Sequence, residues 1–122
     1  MVYMNYLNTF ITYGYGEGPF NIWSLTQWGK NAVGLLGTGT ELQLKQLVQM
    51  ETKNYILALD PDIAGRNGTK KIIDFLLKNH KQDIWVADLP DGKDINDLTQ
   101  EQFKKVNVLP YYIWRNKYFK NS

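Results

Sequence analysis

The sequence predicts an α/β domain with an open, mostly parallel sheet of about four strands and helices on both faces. Three observations predict this fold. Short apolar runs alternate with segments that carry helix start and stop signals, as in a chain of β-α-β units. Each run is apolar enough to be buried on both faces, as parallel strands are. A length of 122 residues, with 43% hydrophobic and 21% charged residues, suits one such domain.

Four apolar runs supply the predicted strands. They span residues 10–15, 32–36, 55–59 and 84–87. Because helices separate them, the crossovers between strands are expected to be right-handed. Functional residues in an open sheet of this kind lie at the carboxyl ends of the strands.

The first two predicted helices carry recognisable ends. Residues 20–28 form the first helix, and Gly29 suits its C-cap. Thr40 and Gln43 have the spacing of a capping box, and an apolar stripe follows them. Both helices therefore connect neighbouring strands of the sheet.

The last two predicted helices follow the third and fourth strands. One runs from Gly65 to about His80 with an apolar stripe on one face. Thr99 and Gln102 form a second possible capping box, which opens a short helix.

Composition excludes several kinds of chemistry. The absence of cysteine excludes disulfides, thiolate metal sites and a cysteine nucleophile. No apolar run reaches the length of a membrane span, and residues 1–10 lack the features of a signal peptide. The net charge is only +2, but residues 104–122 carry five basic and no acidic side chains, whereas residues 83–101 are mainly acidic. This asymmetry suits a metal site that meets a polyanion, and solvated surface is the alternative.

Two carboxylates directly follow the third strand. Asp60 and Asp62 flank Pro61, and residues i and i+2 of an extended segment point to the same side. Two adjacent carboxylates repel each other unless a cation lies between them, and Mg²⁺ prefers oxygen ligands. Asp-Pro-Asp is also favourable turn chemistry, so the segment alone fits both a turn and a metal site.

The other strand ends decide between these interpretations. Glu17 follows the first strand between two glycines, and a run that begins at Asp88 and includes Asp94 follows the fourth. The second strand is followed instead by a Gly-Thr turn into a helix, whose free N–H groups could receive a phosphate. Since three of four strands deliver acidic residues to one edge, a metal site is the better interpretation.

These motifs closely resemble the Toprim domain, a Rossmann-like α/β fold. The resemblance rests on Glu17-Gly18, Gly37-Thr38, the segment from Asp60 to Gly65 and the segment from Leu89 to Asp94. Their order and spacing resemble bacterial and phage DnaG-type DNA primases most. The resemblance predicts a Toprim domain at residues 10–100, an N-terminal extension at 1–9 and a basic, aromatic C-terminal helical extension at 101–122.

The resemblance implies roles for individual residues. It makes Glu17, Asp60 and Asp62 catalytic residues of nucleotidyl transfer and, together with Asp94, ligands of Mg²⁺ or Mn²⁺. A metal held there would neutralise phosphate charge and help to activate a primer 3′-hydroxyl. The four candidates for contact with phosphate or nucleic acid are Thr38, Gly39, Arg66 and Lys93.

Two positions depart from the family pattern. Asn21 and Asn96 stand where primases usually carry aspartates, and Asp97 lies beside the second of them. Asparagine offers a carbonyl oxygen without charge, so these three residues are candidates for a supporting role or a second, weaker metal. In an extended segment Asp97 would face away from Asp94.

The implied function is the catalytic Toprim domain of a primase that makes RNA primers on a DNA template, as a fragment of a larger protein. The alternatives are a metal-dependent Toprim nuclease and a degenerate module that binds nucleic acid or protein without catalysis. The expected partners are single-stranded DNA, ribonucleotides, a replicative helicase and the missing primase domains, in bacterial or phage-infected cytoplasm. The isolated chain is expected to be inactive in primer synthesis. The aromatic residues of 111–119 either stack on bases or pack a C-terminal helix onto the domain.

Overall fold

The structure is a computed structural model that describes residues 8–13, 20–35, 40–50 and 52–119, the side chains of residues 13 and 20–23 excepted. The elements alternate along the chain as the sequence predicts, and a 3₁₀ helix (Ile95–Asp97) lies between β4 and α4. The described residues form five strands: β1 (Asn8–Tyr13), β2 (Asn31–Leu35), β3 (Asn54–Leu57), β4 (Ile84–Asp88) and β5 (Asn107–Pro110). The helices are α1 (Phe20–Gln27), α2 (Glu41–Gln49), α3 (Ile63–Lys78), α4 (Gln100–Lys104) and α5 (Tyr111–Tyr118).

The strands form one sheet in the order β2-β1-β3-β4-β5. The first four are parallel, with Ile11 opposite both Val33 and Leu57, so their carboxyl ends share one edge. This arrangement confirms the predicted α/β fold and its mostly parallel sheet.

The fifth strand, β5, was not predicted. It pairs antiparallel with β4, with Val86 opposite Leu109, and lies at the sheet edge. Val108 is exposed and the strand ends in Pro110. Proline has no N–H to donate, and an edge strand tolerates it because one side of such a strand has no ladder partner. The strand has only four residues and none of them is fully buried, so its sequence lacks the apolar run that would predict a strand.

Helices cover both faces of the sheet. On one face, α2, α3 and α5 pack over alternate strand residues, and Leu47, Ile73 and Trp114 contribute to that core. On the other face, Leu25 of α1 and Phe103 of α4 belong to a second core. Both faces of the central strands are therefore covered, as their mainly apolar sequences predict.

Several predicted helix ends are present. Thr40 and Gln43 form a capping box at α2, and Thr99 and Gln102 form one at α4. Gly29 adopts a φ of 77° after α1, where its N–H and the next one bond back into the last turn.

The C-terminal segment packs onto the sheet. Trp114 of α5 is only 3% exposed within the core, which supports the packing interpretation of this aromatic segment. Within the described parts of the chain, no helix combines the length and apolar character needed to span a membrane.

Candidate functional site

The junction between β3 and α3 brings the two chain segments into very close contact. Ala58 and Leu59 continue β3 as buried residues, and Asp60 follows with its Oδ1 atom buried. A Cβ atom at Gly65 would lie 1.9 Å from the carbonyl oxygen of Asp60. Only glycine therefore lets the first turn of α3 lie against the end of this strand.

Asp62 begins helix α3 as its N-cap. Its backbone is extended, and its Oδ1 accepts a hydrogen bond from the Gly65 N–H at 2.6 Å. The carboxylate also lies at the positive end of the helix dipole. The turn interpretation and the site interpretation of this segment are thus compatible, because the capping carboxylate remains exposed.

The loop after β4 contributes two more carboxylates. Asp94 caps the 3₁₀ helix: Asp97 N–H donates to Asp94 Oδ1 at 3.1 Å, and Asp94 N–H donates to Asp97 Oδ2 at 3.1 Å. The segment is therefore not extended at Asp97, and a spacing of three residues in a 3₁₀ helix returns Asp97 to the Asp94 side. Asn96 is exposed.

These carboxylates line one cavity of about 150 Å³. Its lining residues are Asp60, Pro61, Asp62, Gly92, Asp94 and Asp97. Gly92 has a φ of 74° at the third position of a turn in which Lys93 N–H donates to the Pro90 carbonyl. This turn folds the loop after β4 back toward the end of β3.

Burial and a neighbouring carboxylate both affect the pKa of Asp94. Burial raises this pKa, and the neighbouring Asp97 raises it further, although hydrogen bonds from the backbone of Asp97 and Asn96 lower it in part. Within the described residues, no three acidic or histidine side chains form a ready metal-ligating group. The caps orient three of the four carboxylates toward backbone N–H groups instead.

The substitution Asp94→Asn is expected to stabilise the metal-free domain slightly at neutral pH. Asparagine keeps the cap and removes the charge repulsion. Since the folded-state pKa of Asp94 is raised, its destabilising effect is absent below the unfolded pKa of about 4 and grows as pH rises through the folded value. Solvent screening limits the gain to below about 1 kcal/mol.

Thermal unfolding from pH 3.5 to 7.5 would measure this difference. Asp83→Asn, at an exposed position before β4, is the control for loss of a carboxylate elsewhere. A stability difference that shrank with rising pH would contradict the expected sign.

The two basic candidates differ in their surroundings. Arg66, in the first turn of α3, donates from Nη2 to Asp91 Oδ1 at 3.1 Å, and its guanidinium lies 4.3 Å from the centre of the Tyr118 ring. Lys93 is exposed on the turn after β4. The sequence placed Arg66 near the site and Tyr118 in the C-terminal aromatic segment, but it did not indicate that the two side chains meet.

Asp88 is another acidic residue that sequence reasoning did not select. Its carboxylate ends β4, is 11% exposed, pairs with Lys117 and accepts a hydrogen bond from the Tyr118 hydroxyl at 2.6 Å. Hydrogen bonding to Asp88 raises the pKa of Lys117, while burial and then the Asp88 hydrogen bond raise that of Tyr118. Two side chains of helix α5 therefore bind the Asp88 carboxylate.

Three predicted site residues lie outside the described residues: Glu17, Thr38 and Gly39. Asn21 lies in α1, but its side chain is outside them as well. The described part of the predicted site is thus the set contributed by β3, α3 and the loop after β4.

Comparison with known proteins assigns this arrangement to a family. The sequence profile of Toprim-like proteins matches residues 15–99, which is more than half of the chain. The chain belongs to the Toprim-like family. The match includes both carboxylate segments of the cavity.

This Toprim domain is similar to curated bacterial DNA primases. It is 32% identical over 103 residues to the DNA primase of Listeria monocytogenes, covering 80% of this chain and 16% of the relative. It is 33% identical over 92 residues to the DNA primase of Escherichia coli K12, covering 73% of this chain and 16% of the relative. The chain therefore spans about a sixth of the length of these relatives.

Solved primase structures share the fold of this Toprim domain. The Aquifex aeolicus primase, with its zinc-binding and RNA polymerase domains, matches at 23% identity and a TM-score of 0.70 over 98% of this chain and 30% of that one. A DnaG primase catalytic domain bound to single-stranded DNA matches at 23% identity and a TM-score of 0.66 over 95% of this chain and 39% of that one. These structural matches cover a larger share of the chain than residues 15–99, which the sequence profile matches.

Proposed function

We propose that this Toprim domain is the catalytic part of a DnaG-type primase and performs metal-dependent nucleotidyl transfer to make RNA primers on a DNA template. The observation that carries the proposal is the meeting of Asp60, Asp62 and Asp94 at one cavity in a chain of the Toprim-like family. Similarity to curated DNA primases supports the reaction class.

The donor set fits a hydrated divalent cation. Mg²⁺ and Mn²⁺ take oxygen ligands, and Mg²⁺ usually keeps several waters when a protein binds it. The cavity of about 150 Å³ offers four carboxylates and room for a few waters. Burial and then the charge of Asp97 raise the pKa of Asp94, and a cation there would offset both effects. We therefore assign Mg²⁺ or Mn²⁺ to Asp60, Asp62 and Asp94, with Glu17 as a further ligand and Asp97 in support.

The bound cation would supply charge neutralisation at phosphate oxygens and help to activate a 3′-hydroxyl. The protein's own residues would do the rest. Asp62 keeps the start of α3 fixed beside Asp60, and the cap between Asp94 and Asp97 fixes the loop after β4. Arg66 and Lys93, together with Thr38 and Gly39, which precede α2 in the sequence, would bind phosphates.

We infer the partners of this domain from its similarity to DNA primases. A template of single-stranded DNA and ribonucleotide substrates are expected, with a replicative helicase and further primase domains acting beside it in bacterial or phage-infected cytoplasm. The chain matches only a sixth of its relatives' length, so primer synthesis is expected to need segments that correspond to the rest of the relative.

A degenerate module without catalysis is the second candidate. The specific observation that favours it is the pair of asparagines at positions 21 and 96, which bring no charge where primases usually carry aspartates. With this donor set we expect one strong metal site and a second weak one.

Metal titration followed by two activity assays tests the proposal. We expect the purified chain to bind Mn²⁺. We also expect it neither to cleave single-stranded DNA nor to synthesise primers on its own. Cleavage that needs Asp60 would replace the proposal by the nuclease. No metal binding at millimolar concentrations would replace it by the degenerate module, and template-dependent primers made by the 122-residue chain would overturn the proposed need for further domains.

A further inference from the structure

Arg66 lies between the carboxylate cavity and a second, larger groove. The groove measures about 730 Å³, and Asp88, Asp91, Lys117 and Tyr118 line it together with Arg66. Arg66, Asp88 and Tyr118 also line a small cavity together with Asp60 and Pro61. Asp60 and Pro61 line the carboxylate cavity as well, so Arg66 borders both the groove and a small cavity next to the candidate metal site.

The aromatic ring of Tyr118 fixes one face of this guanidinium. The Arg66 Cζ atom lies 4.3 Å from the ring centre, and the Arg66 side chain is only 25% exposed. The ring is itself held, because its hydroxyl donates to Asp88 on β4 at 2.6 Å and Lys117 pairs with the same carboxylate. A cation stacked in this way gives up little further freedom when it binds an anion.

Asp91 holds the edge of the same guanidinium in a different manner. Its side chain is 90% exposed and makes one contact of 3.1 Å to Arg66 Nη2. Exposed ion pairs of this kind contribute little stability. The edge of a guanidinium also matches the oxygens of a phosphate, so a phosphate can take the place of Asp91 while the ring contact persists.

We propose that Tyr118 is a positioning residue that holds Arg66 ready for the polyphosphate of a nucleotide, and that Asp91 occupies the phosphate position until the nucleotide binds. This inference deepens the proposed function and takes its substrate class from it. A polyphosphate suits the place better than a nucleic-acid backbone because it concentrates several charges beside one guanidinium and the neighbouring Lys117.

Arginine side-chain NMR tests the proposal directly. The chain contains two arginines, Arg66 and Arg115, so the Nε–Hε region holds two signals. Arg115 is an internal control, since it lies 3.7 Å from Asp74 and over the Tyr111 ring. Titration with sodium tripolyphosphate in metal-free buffer at low ionic strength is expected to shift the Arg66 signal to saturation and leave Arg115 nearly unchanged.

Three variants separate positioning from mere packing. Asp91→Asn is expected to lower the midpoint of the titration about threefold, because the competing carboxylate is gone. Tyr118→Leu is expected to raise it about fivefold through loss of the ring. Tyr112→Leu, at an exposed aromatic of the same helix, is the matched control and is expected to leave the midpoint unchanged.

A purely structural role would give a different result. Tyr118→Leu would then lower the melting temperature without moving the midpoint, and Asp91→Asn would have no effect, which would overturn the proposal. If Tyr118→Leu does not fold, Asp91→Asn alone decides. An oligodeoxynucleotide that shifts Arg66 at lower phosphate concentration than tripolyphosphate would overturn the assignment to a nucleotide.

Failure of the proposed function would be seen separately. The titration contains no metal, so loss of the metal assignment would leave the responses of Asp91→Asn and Tyr118→Leu in place. Conversely, a chain that binds Mn²⁺ through Asp60 but shows no saturable shift at Arg66 would overturn this inference alone.

Discussion

Replacement of Gly65 by alanine is expected to lower the free energy of unfolding by about 3 kcal/mol and the melting temperature by about 12 °C. The added Cβ would lie 1.9 Å from the carbonyl oxygen of Asp60 and 2.8 Å from its carbonyl carbon. Both contacts are with backbone, so no side chain can move aside to relieve them. Either α3 or the end of β3 must shift, which would also disturb the cavity that Asp60 and Asp62 line.

The sign of this effect distinguishes it from ordinary helix propensity. Alanine is about 1 kcal/mol better than glycine within an exposed helix, so propensity alone predicts a more stable variant. Asn67→Ala, at an exposed position in the same turn of α3, is the control and is expected to be neutral or slightly stabilising. Thermal unfolding followed by circular dichroism measures both. A Gly65→Ala protein that melts at or above the wild-type temperature would show that α3 does not lie this close to β3.

Local signals in the sequence suffice for most of the fold. Strands β1 to β4 carry mainly apolar runs. Helices α2 and α4 carry capping boxes whose hydrogen bonds form between residues three apart. Strand β5 has no comparable signal. Its assignment depends on the pairing of Leu109 with Val86, and such a contact between distant residues leaves no periodic pattern in a four-residue strand.

The candidate site also contains residues that the sequence could predict and residues that depend on tertiary contacts. Asp60, Asp62 and Asp94 could be expected together, because parallel strands deliver the residues after their carboxyl ends to one edge. The place of Asp97 could not, since it depends on a 3₁₀ helix rather than an extended segment. The stacking of Arg66 on Tyr118 requires the packing direction of α5 against β4, which only the tertiary structure provides.

Asp60→Asn is expected to weaken Mn²⁺ binding at least about tenfold, and it is the largest functional effect that we predict. Loss of outer-shell partners alone typically weakens metal binding by 10- to 100-fold, and Asp60 is assigned as a direct ligand. Its Oδ1 atom is already buried at the cavity, so asparagine preserves shape and removes charge. Calorimetric titration with Mn²⁺ at fixed ionic strength measures the change.

Comparison with Asp62→Asn and Asp83→Asn locates the effect. Asp62→Asn keeps the helix cap and is expected to lose affinity without loss of stability, because asparagine caps helices as well as aspartate does. Asp83 directly precedes β4, at the amino ends of the parallel strands, whereas the cavity lies at their carboxyl ends. Asp83→Asn therefore removes the same charge far from the cavity and should change affinity less than about twofold. Equal losses in Asp60→Asn and Asp83→Asn would mean that the overall charge of the domain, and not this cavity, attracts the metal. Unchanged binding in Asp60→Asn would remove Asp60 from the metal site, and the assignment of catalysis to this edge of the sheet would fail with it.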